Sequence, residues 1–354
     1  MEEKPHKRRV RYRGTHPTKF EEKYKELQPE KYAATVEKVI QKGGTPAGMH
    51  RSIMVAEVLQ VLRIRPGEQG LDATLGYGGH TKAMLEQLSG KGCLYACDVD
   101  SEEAAKTTAR LRSQGFGEDL LKVRLQNFST LGQLAAEVGG FDFILADLGV
   151  SSMQIDNPAR GFSFKTEGPL DLRMDPKHGE PAYVRLAALS KEELAGCFLD
   201  NADEPYAEAI AAELVRRRRK GQRIETTTAL REAVETAVLS QREVAALAER
   251  EQAEAVKKSC ARVFQALRID VNHEYEALYA FLEALPDALR PGGRAALLTF
   301  HSGEDRLVKK AFKEGKRAGV YQEISEDVIR PSAEECFHNS RARSTKLRYA
   351  VKAE

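Results

Sequence analysis

From Ser52 onward the apolar residues repeat at helical spacing, through Ile53, Val55, Val58, Leu59 and Leu62, until Arg65-Pro-Gly67 closes the run. The pattern then switches between two periods. Short apolar runs predict strands over 68–73, 92–98, 120–126 and 141–147, and helical patterns lie between them at 79–89, 101–113 and 130–138. Alternation of this kind builds a parallel sheet with helices on both faces. It breaks after 147. Residues 153–255 carry helical patterns at 190–199, 204–220, 227–239 and 241–256 but no convincing strand. Two more helical stretches, 259–268 and 273–289, lead to a turn at Pro291-Gly-Gly293 and a fifth strand over Arg294–Phe300. The fold class expected is α/β, a Rossmann-like sheet with an inserted all-helical domain. Four segments follow: a basic extension over 1–46 with a short helix near 29–41, the first part of the sheet domain over 47–152, the helical insert over 153–255, and the second part over 256–354. Ligands of open α/β sheets sit at the carboxyl ends of the strands, the edge from which the insert leaves.

A chain of 354 residues has room for a full core. Its 55 Lys and Arg against 53 Asp and Glu give a net charge of only +2, so any affinity for nucleic acid rests on local clusters. Lys4-Pro-His-Lys-Arg-Arg-Val-Arg-Tyr-Arg13 is one cluster and Arg216-Arg-Arg-Arg-Lys220 another. Either alone reads equally as a solvated tail or helix end. Five cysteines without metal-ligand spacing fit reduced, mostly buried thiols. No apolar run approaches bilayer length and no signal-type segment follows the charged amino terminus, so a soluble, cytoplasmic protein with no membrane partner is expected.

The chemistry concentrates at the strand ends. Leu71-Asp-Ala-Thr-Leu-Gly-Tyr-Gly-Gly-His80 runs from a strand into a glycine-rich turn, where a backbone without Cβ atoms can approach a ligand closely. Asp98 ends the next strand, placed to take the ribose hydroxyls of a nucleoside. A nicotinamide-dependent oxidoreductase would share that spacing, but its fingerprint needs a small residue where this chain has Thr81, and Asp72 would crowd a pyrophosphate. An acid ahead of the glycines suits S-adenosylmethionine, which has no phosphate and carries an ammonium and a sulfonium. Further segments fall at the same edge: Asp147-Leu-Gly-Val-Ser-Ser-Met-Gln154, Arg160-Gly-Phe-Ser-Phe164, Gly168-Pro-Leu-Asp-Leu-Arg-Met-Asp175 and Phe300-His-Ser-Gly-Glu-Asp-Arg306.

In order, and with Gly76-Tyr-Gly-Gly-His80, Arg262-Val-Phe-Gln-Ala-Leu-Arg-Ile-Asp-Val-Asn272 and Ser340-Arg-Ala-Arg-Ser-Thr-Lys-Leu-Arg348, these segments resemble the MraW (RsmH) bacterial 16S rRNA cytosine-N4 methyltransferases over roughly His50 to Val351. The resemblance implies a class I S-adenosylmethionine methyltransferase sheet. It also implies a decoding-centre cytosine in 16S rRNA as target, within the small ribosomal subunit. Cofactor residues carried over are Gly78, Gly79, His80, Asp98, Phe128, Asp147 and Gln154. By their own chemistry, Asp98 takes the ribose, Phe128 flanks the adenine, and Asp147 accepts from the adenine or the methionine ammonium. A cytosine amine has its lone pair delocalised into the ring, so transfer needs an acceptor for its N–H near the methyl. With no D/N-P-P-Y segment here, Asp147, Ser151 and Ser152 are the expected methyl-transfer residues, with Asp171 and Asp175 as alternative acceptors.

Several residues admit two readings. Phe162 and Phe164 stack a base or anchor the insert; Arg173 pairs with Asp171 or reaches a phosphate; His80 is a cofactor residue or bonds backbone. His301 and Asp305 line the substrate entrance, or mark a helix start capped by Ser302. The basic arm, Arg216 to Lys220, and Arg341, Arg343, Lys346 and Arg348 are expected to hold RNA phosphates. No metal site is expected, and an apolar face on the first helix or the insert offers a homodimer contact. The chain departs from the family at Tyr77 (usually Arg), Met153 (usually Pro) and Gly303 (usually Leu), as well as in the long arm. These departures leave open a paralogue acting on a cytosine of a different RNA. An RNA-binding assembly factor without catalysis is the alternative from another class; the intact acids and glycine loop oppose it.

Overall fold

The computed structural model describes residues 52–354, so the basic arm and its expected helix lie outside the described residues. Strands β1 (Gln69–Asp72), β2 (Cys93–Asp98), β3 (Leu121–Leu125) and β4 (Phe141–Asp147) alternate with α2 (Gly79–Leu88), α3 (Ser101–Ser113) and α4 (Leu131–Val138), after the leading helix α1 (Val55–Leu62). These elements match the expected spans to within a few residues. The seven-stranded sheet has the order β3-β2-β1-β4-β5-β7-β6. Strand order therefore reverses between β1 and β4, and the crevice beyond their carboxyl ends is the ligand position of such sheets. Asp72, Asp98 and Asp147 end the three adjacent strands β1, β2 and β4. The centre is tight: a Cβ on Gly70 would meet the Phe143 ring at 2.0 Å, in the pair of strands where these residues are register partners.

After β4 come the short α5 (Ser152–Asp156) and a long irregular segment, then α6 (Ala182–Ala188), α7 (Lys191–Ala202), α8 (Ala207–Arg219), α9 (Thr227–Leu239) and α10 (Arg242–Ala245). α11 (Glu249–Asn272) and α12 (Glu274–Ala288) lead back to the sheet. The helices from α6 to α11 enclose their own apolar core, including Phe198, Leu214, Leu230, Val234, Val263 and Leu267. One expectation changes here. The boundary at 255/256 falls inside α11, a single helix that joins the patterns read as 241–256 and 259–268. Its apolar positions (Cys260, Val263, Phe264, Leu267) keep one helical stripe, and only the Ala246-Leu247-Ala248 link separates it from α10.

β5 (Leu289–Thr299) includes the Pro291-Gly-Gly293 segment expected as a turn outside the strand. Its pairing with β4 shifts register between Phe141 and Phe143, so the extra residues bulge while both ends stay paired. α13 (Ser302–Arg317), β6 (Tyr321–Ile324), α14 (Ala333–His338) and β7 (Lys346–Lys352) follow. β7 lies antiparallel between β5 and β6. The sequence reading missed β6 and β7, since β6 is four residues long and β7 reads Lys-Leu-Arg-Tyr-Ala-Val-Lys, charged enough to pass for surface. The faces expected to support a dimer are used internally: Val58 and Leu62 of α1 are fully buried against the sheet, and the insert's apolar faces form its own core. Among the described residues no helix is long and apolar enough to cross a membrane.

Candidate active site

The glycine loop is held by two acids, Asp72 buried and Asp98 partly buried. Asp72 accepts from the Thr81 hydroxyl at 2.6 Å and from the Thr74 N–H at 3.1 Å, stapling the end of β1 to the first turn of α2. Thr81, the residue that departs from a dinucleotide fingerprint, is thus the donor that a buried carboxylate requires. Burial pushes the Asp72 carboxyl up from its ordinary value, against the pull of Thr81 and His80. Gly76 and Gly78 take positive φ, and a Cβ on Gly79 would meet the Ser52 hydroxyl oxygen at 2.0 Å. The Gly76 N–H donates to Asp98 Oδ2 at 2.7 Å, and the Asp100 N–H to Asp98 Oδ1 at 2.9 Å. Each Asp98 oxygen keeps a lone pair, the provision that two ribose hydroxyls need. Burial likewise raises the Asp98 carboxyl.

His80 stands in the wall behind this loop, 6% exposed. Its Nε2 lies 2.9 Å from the Ile53 carbonyl, which can only accept, so Nε2 carries a proton. Nδ1 faces Asp147 Oδ2 at 3.4 Å. Burial opposes a charged ring, yet hydrogen bonding and charge from Asp147, with Asp72 behind, outweigh it and hold the His80 pKa above its usual value. His80 thus bonds backbone, as one of its two readings has it, and on its other side fixes Asp147. Asp147 is anchored further by its own N–H, which donates to the Thr74 hydroxyl at 2.7 Å. Its Oδ1 is buried and has no hydrogen-bond partner among the described residues. Such an oxygen is costly to leave alone and fits a donor brought by a ligand.

Beyond β4, Ser151 caps α5: its hydroxyl accepts from the Gln154 N–H at 3.2 Å, and Gln154 Oε1 accepts from the Ser151 N–H at 2.9 Å. Gln154 Nε2 reaches Asp100 Oδ2 at 3.3 Å. Asp100, absent from the sequence reading, is the hub of this region. Its Oδ1 caps α3 through the N–H groups of Glu102 and Glu103, and its Oδ2 takes Arg160 Nη1 at 2.7 Å. The legible signal was an acid directly ahead of Ser101-Glu-Glu, a helix start. Arg160 Nη2 then donates to the carbonyls of Arg173 and Met174, and Asn272 holds the same loop through the Met174 N–H and the Leu172 carbonyl, both at 2.7 Å. Leu172 sits at φ 64° inside that brace, a conformation that a buried leucine adopts only when its surroundings enforce it.

A model of the MraW methylase family matches residues 47–353. The chain belongs to the MraW methylase family. It is 62% identical over 353 residues to the ribosomal RNA small subunit methyltransferase H 1 of Agathobacter rectalis, spanning 100% of this chain and 99% of that one. It is 41% identical over 318 residues to the ribosomal RNA small subunit methyltransferase H of Thermomicrobium roseum, 85% and 93% of the two chains. Among solved structures, it is similar to a SAM-dependent methyltransferase from Aquifex aeolicus with TM-score 0.37 and 11% identity, covering 85% of this chain and 90% of that one.

Two of the positions expected to depart from the family, Tyr77 and Gly303, have clear local partners. Tyr77 carries the Arg110 guanidinium stacked 3.8 Å from its ring centroid, with Arg110 also donating to the Tyr77 carbonyl, so α3 brings a guanidinium to the loop. Gly303 leaves room for Tyr275: a Cβ there would meet the Tyr275 hydroxyl at 2.0 Å, and that hydroxyl donates to the Asn201 carbonyl of α7 at 3.2 Å.

Other expectations give way to the bland alternative. Phe162 is buried in the helical core and Phe164 packs edge-on to Phe264 at 5.8 Å, so both anchor the insert. Arg173 pairs bidentately with Asp171, and Asp175 is engaged by His178. The cap of α13 is His301, not Ser302, with Glu304 rather than Asp305 in its first turn reaching back to the Phe300 N–H. Asp305 instead pairs with Lys346 and Arg348 at 3.1 and 2.7 Å. Arg348 is 4% exposed, and Arg341 is held by Asp156 at 2.6 Å. On α8, Glu213 takes both Arg216 and Arg217. Among the described residues, five of the nine cations expected on RNA, Arg216, Arg217, Arg341, Lys346 and Arg348, are thus committed to carboxylates. Phe128, in a turn after β3, packs edge-on to Phe281 at 5.6 Å and stays only partly buried. Glu274, His301 and Glu304 bring ligand-type atoms within 4.8 Å of one another, with Arg268 lying bidentate on Glu274.

Proposed function

We propose that this chain transfers a methyl group from S-adenosylmethionine to the N4 amine of a cytosine in small-subunit rRNA, acting on the small ribosomal subunit. The observation that carries the reading is the buried, unpartnered Oδ1 of Asp147 at the strand-order switch. The cofactor supplies an electrophilic methyl group on a sulfonium. Asp98 takes the ribose hydroxyls, Phe128 flanks the adenine, and Gly78 and Gly79 let the loop backbone close on the ligand. Asp147 Oδ1 accepts an N–H of the target amine, which returns electron density to nitrogen, and takes the proton that the nitrogen sheds. His80 fixes the other oxygen of the same carboxylate, and Ser151, Ser152 and Gln154 set the path of the chain that walls the site. Ser151, Asp171 and Asp175 are already engaged, which favours Asp147 as the acceptor.

The test is transfer of labelled methyl to small subunits from cells lacking the endogenous enzyme, followed by nucleoside mass spectrometry. N4-methylcytidine in 16S rRNA is expected. Cofactor binding with no label in that RNA would move the target to another RNA.

A further inference from the structure

We infer that the outer face of α13 is a docking surface for the phosphate backbone of the substrate RNA. Arg306, Lys309, Lys310, Lys313, Lys316 and Arg317 all lie exposed on this helix. At 3.6 residues per turn they fall within an arc of about 120° and extend along about 16 Å of helix. The opposite side buries Glu304, Val308 and Phe312, and Gly315 packs on the Tyr321 ring, so the helix cannot turn these cations inward. Of the acids on this helix, Glu304 is buried, Asp305 is spent on Lys346 and Arg348, and the exposed Glu314 forms no ion pair among the described residues, which leaves the six cations in clear excess. Arg306 has only an exposed contact with Asp203 at 3.4 Å, and Lys316 donates to the Gln322 carbonyl. Among the described residues, Lys309, Lys310, Lys313 and Arg317 have no carboxylate within ion-pair reach.

Position gives this face its meaning. α13 starts directly after β5, which runs parallel to β4, so its first turn stands on the sheet edge that carries Asp98 and Asp147. From there the helix crosses toward β6, so the row of cations leads away from that edge and can carry the flanking part of an RNA strand that enters it. Lysine ammonium groups in a row suit repeating phosphates and carry no base preference. A membrane-surface helix would need large apolar residues beside its cations, and no exposed large hydrophobic residue lies on α13. The occupant is therefore RNA.

The inference rests on the proposed RNA substrate, and the experiment separates the two. The triple variant Lys309→Glu, Lys310→Glu, Lys313→Glu and its all-Gln counterpart are compared with the parent. The readouts are binding to small subunits and to protein-free 16S rRNA across salt concentrations, KM and kcat, and S-adenosylhomocysteine binding as the control for folding. Expected are a KM for subunits raised about tenfold or more by the Glu variant, kcat within about twofold, and a salt slope shallower by about three in the Gln variant. S-adenosylhomocysteine binding stays unchanged. Parent-like binding and slope in both variants would overturn the inference. So would lost affinity for subunits with full affinity for protein-free RNA, which would assign the face to a protein. If the parent labels no small subunit, the substrate reading fails, and the RNA-binding comparison still decides the role of α13.

Discussion

Asp147 combines an oxygen held by His80 with an oxygen that has no partner among the described residues. Asp147→Asn keeps the size and loses the charge, so single-turnover methyl transfer should fall by about two to four orders of magnitude while S-adenosylhomocysteine still binds. Rapid-quench kinetics beside calorimetry checks both halves. His80 makes a second prediction. Its folded-state pKa lies above the ordinary imidazole value, so the stabilisation from the His80–Asp147 pair is complete below about pH 6.5 and fades as pH rises through the folded value. Urea unfolding of the parent and of His80→Asn across pH should show a stability gap that narrows with rising pH. A constant gap would mean that folding leaves the His80 pKa unchanged, and a widening one that the folded protein holds the ring neutral. Residue roles of this kind were partly legible in sequence. Asp98 and Asp147 announced themselves as acids ending apolar runs, whereas Asp100 looked like an ordinary helix cap, and its link to Arg160 spans sixty positions.

Among the elements, β1 to β4 were readable because each is a short apolar run whose neighbours in sequence are its neighbours in the sheet. β7 was hidden by Arg348, whose charge is satisfied by Asp305, 43 positions away, in a pairing that no local pattern reveals. Arg348→Ala should therefore cost about 3 kcal/mol of stability, because it leaves a carboxylate poorly paired, and should leave the salt dependence of RNA binding unchanged. Denaturant unfolding and a binding titration distinguish this from a role on RNA. Gly303 and Tyr275 predict a pairwise effect between elements. Gly303→Leu alone should disturb the junction of α12, α13 and α7 and lower activity. Tyr275→Ala in the same chain should restore much of it, since the hydroxyl no longer occupies the space. Two independent losses that simply add would refute the interlock.

In the whole molecule, the sheet supplies the cofactor edge and the helical unit supplies braces for it. α11 runs from the far end of the helical core to Asn272, which grips the loop that Arg160 grips from the other side. Asp100 joins that loop to the turn after β2. Asp100→Asn retains a competent helix cap but offers Arg160 no carboxylate. It should weaken methyl transfer to RNA more than cofactor binding, read as a kcat/KM for subunits that falls further than S-adenosylhomocysteine affinity. The insertion itself was visible in the lost strand periodicity. The continuity of α11 across the expected boundary was not, because a helix can keep its stripe while changing what it packs against.

The place of β7 also has a consequence in time. β5 and β6 are both synthesised before the strand that must lie between them, while β1, β2 and β3 have every strand partner as soon as β4 is made. On a growing chain the nucleotide half can settle first, with β5 left waiting at an open edge until its last neighbour emerges. A slow codon run placed between β6 and β7 would prolong that exposure and favour aggregation.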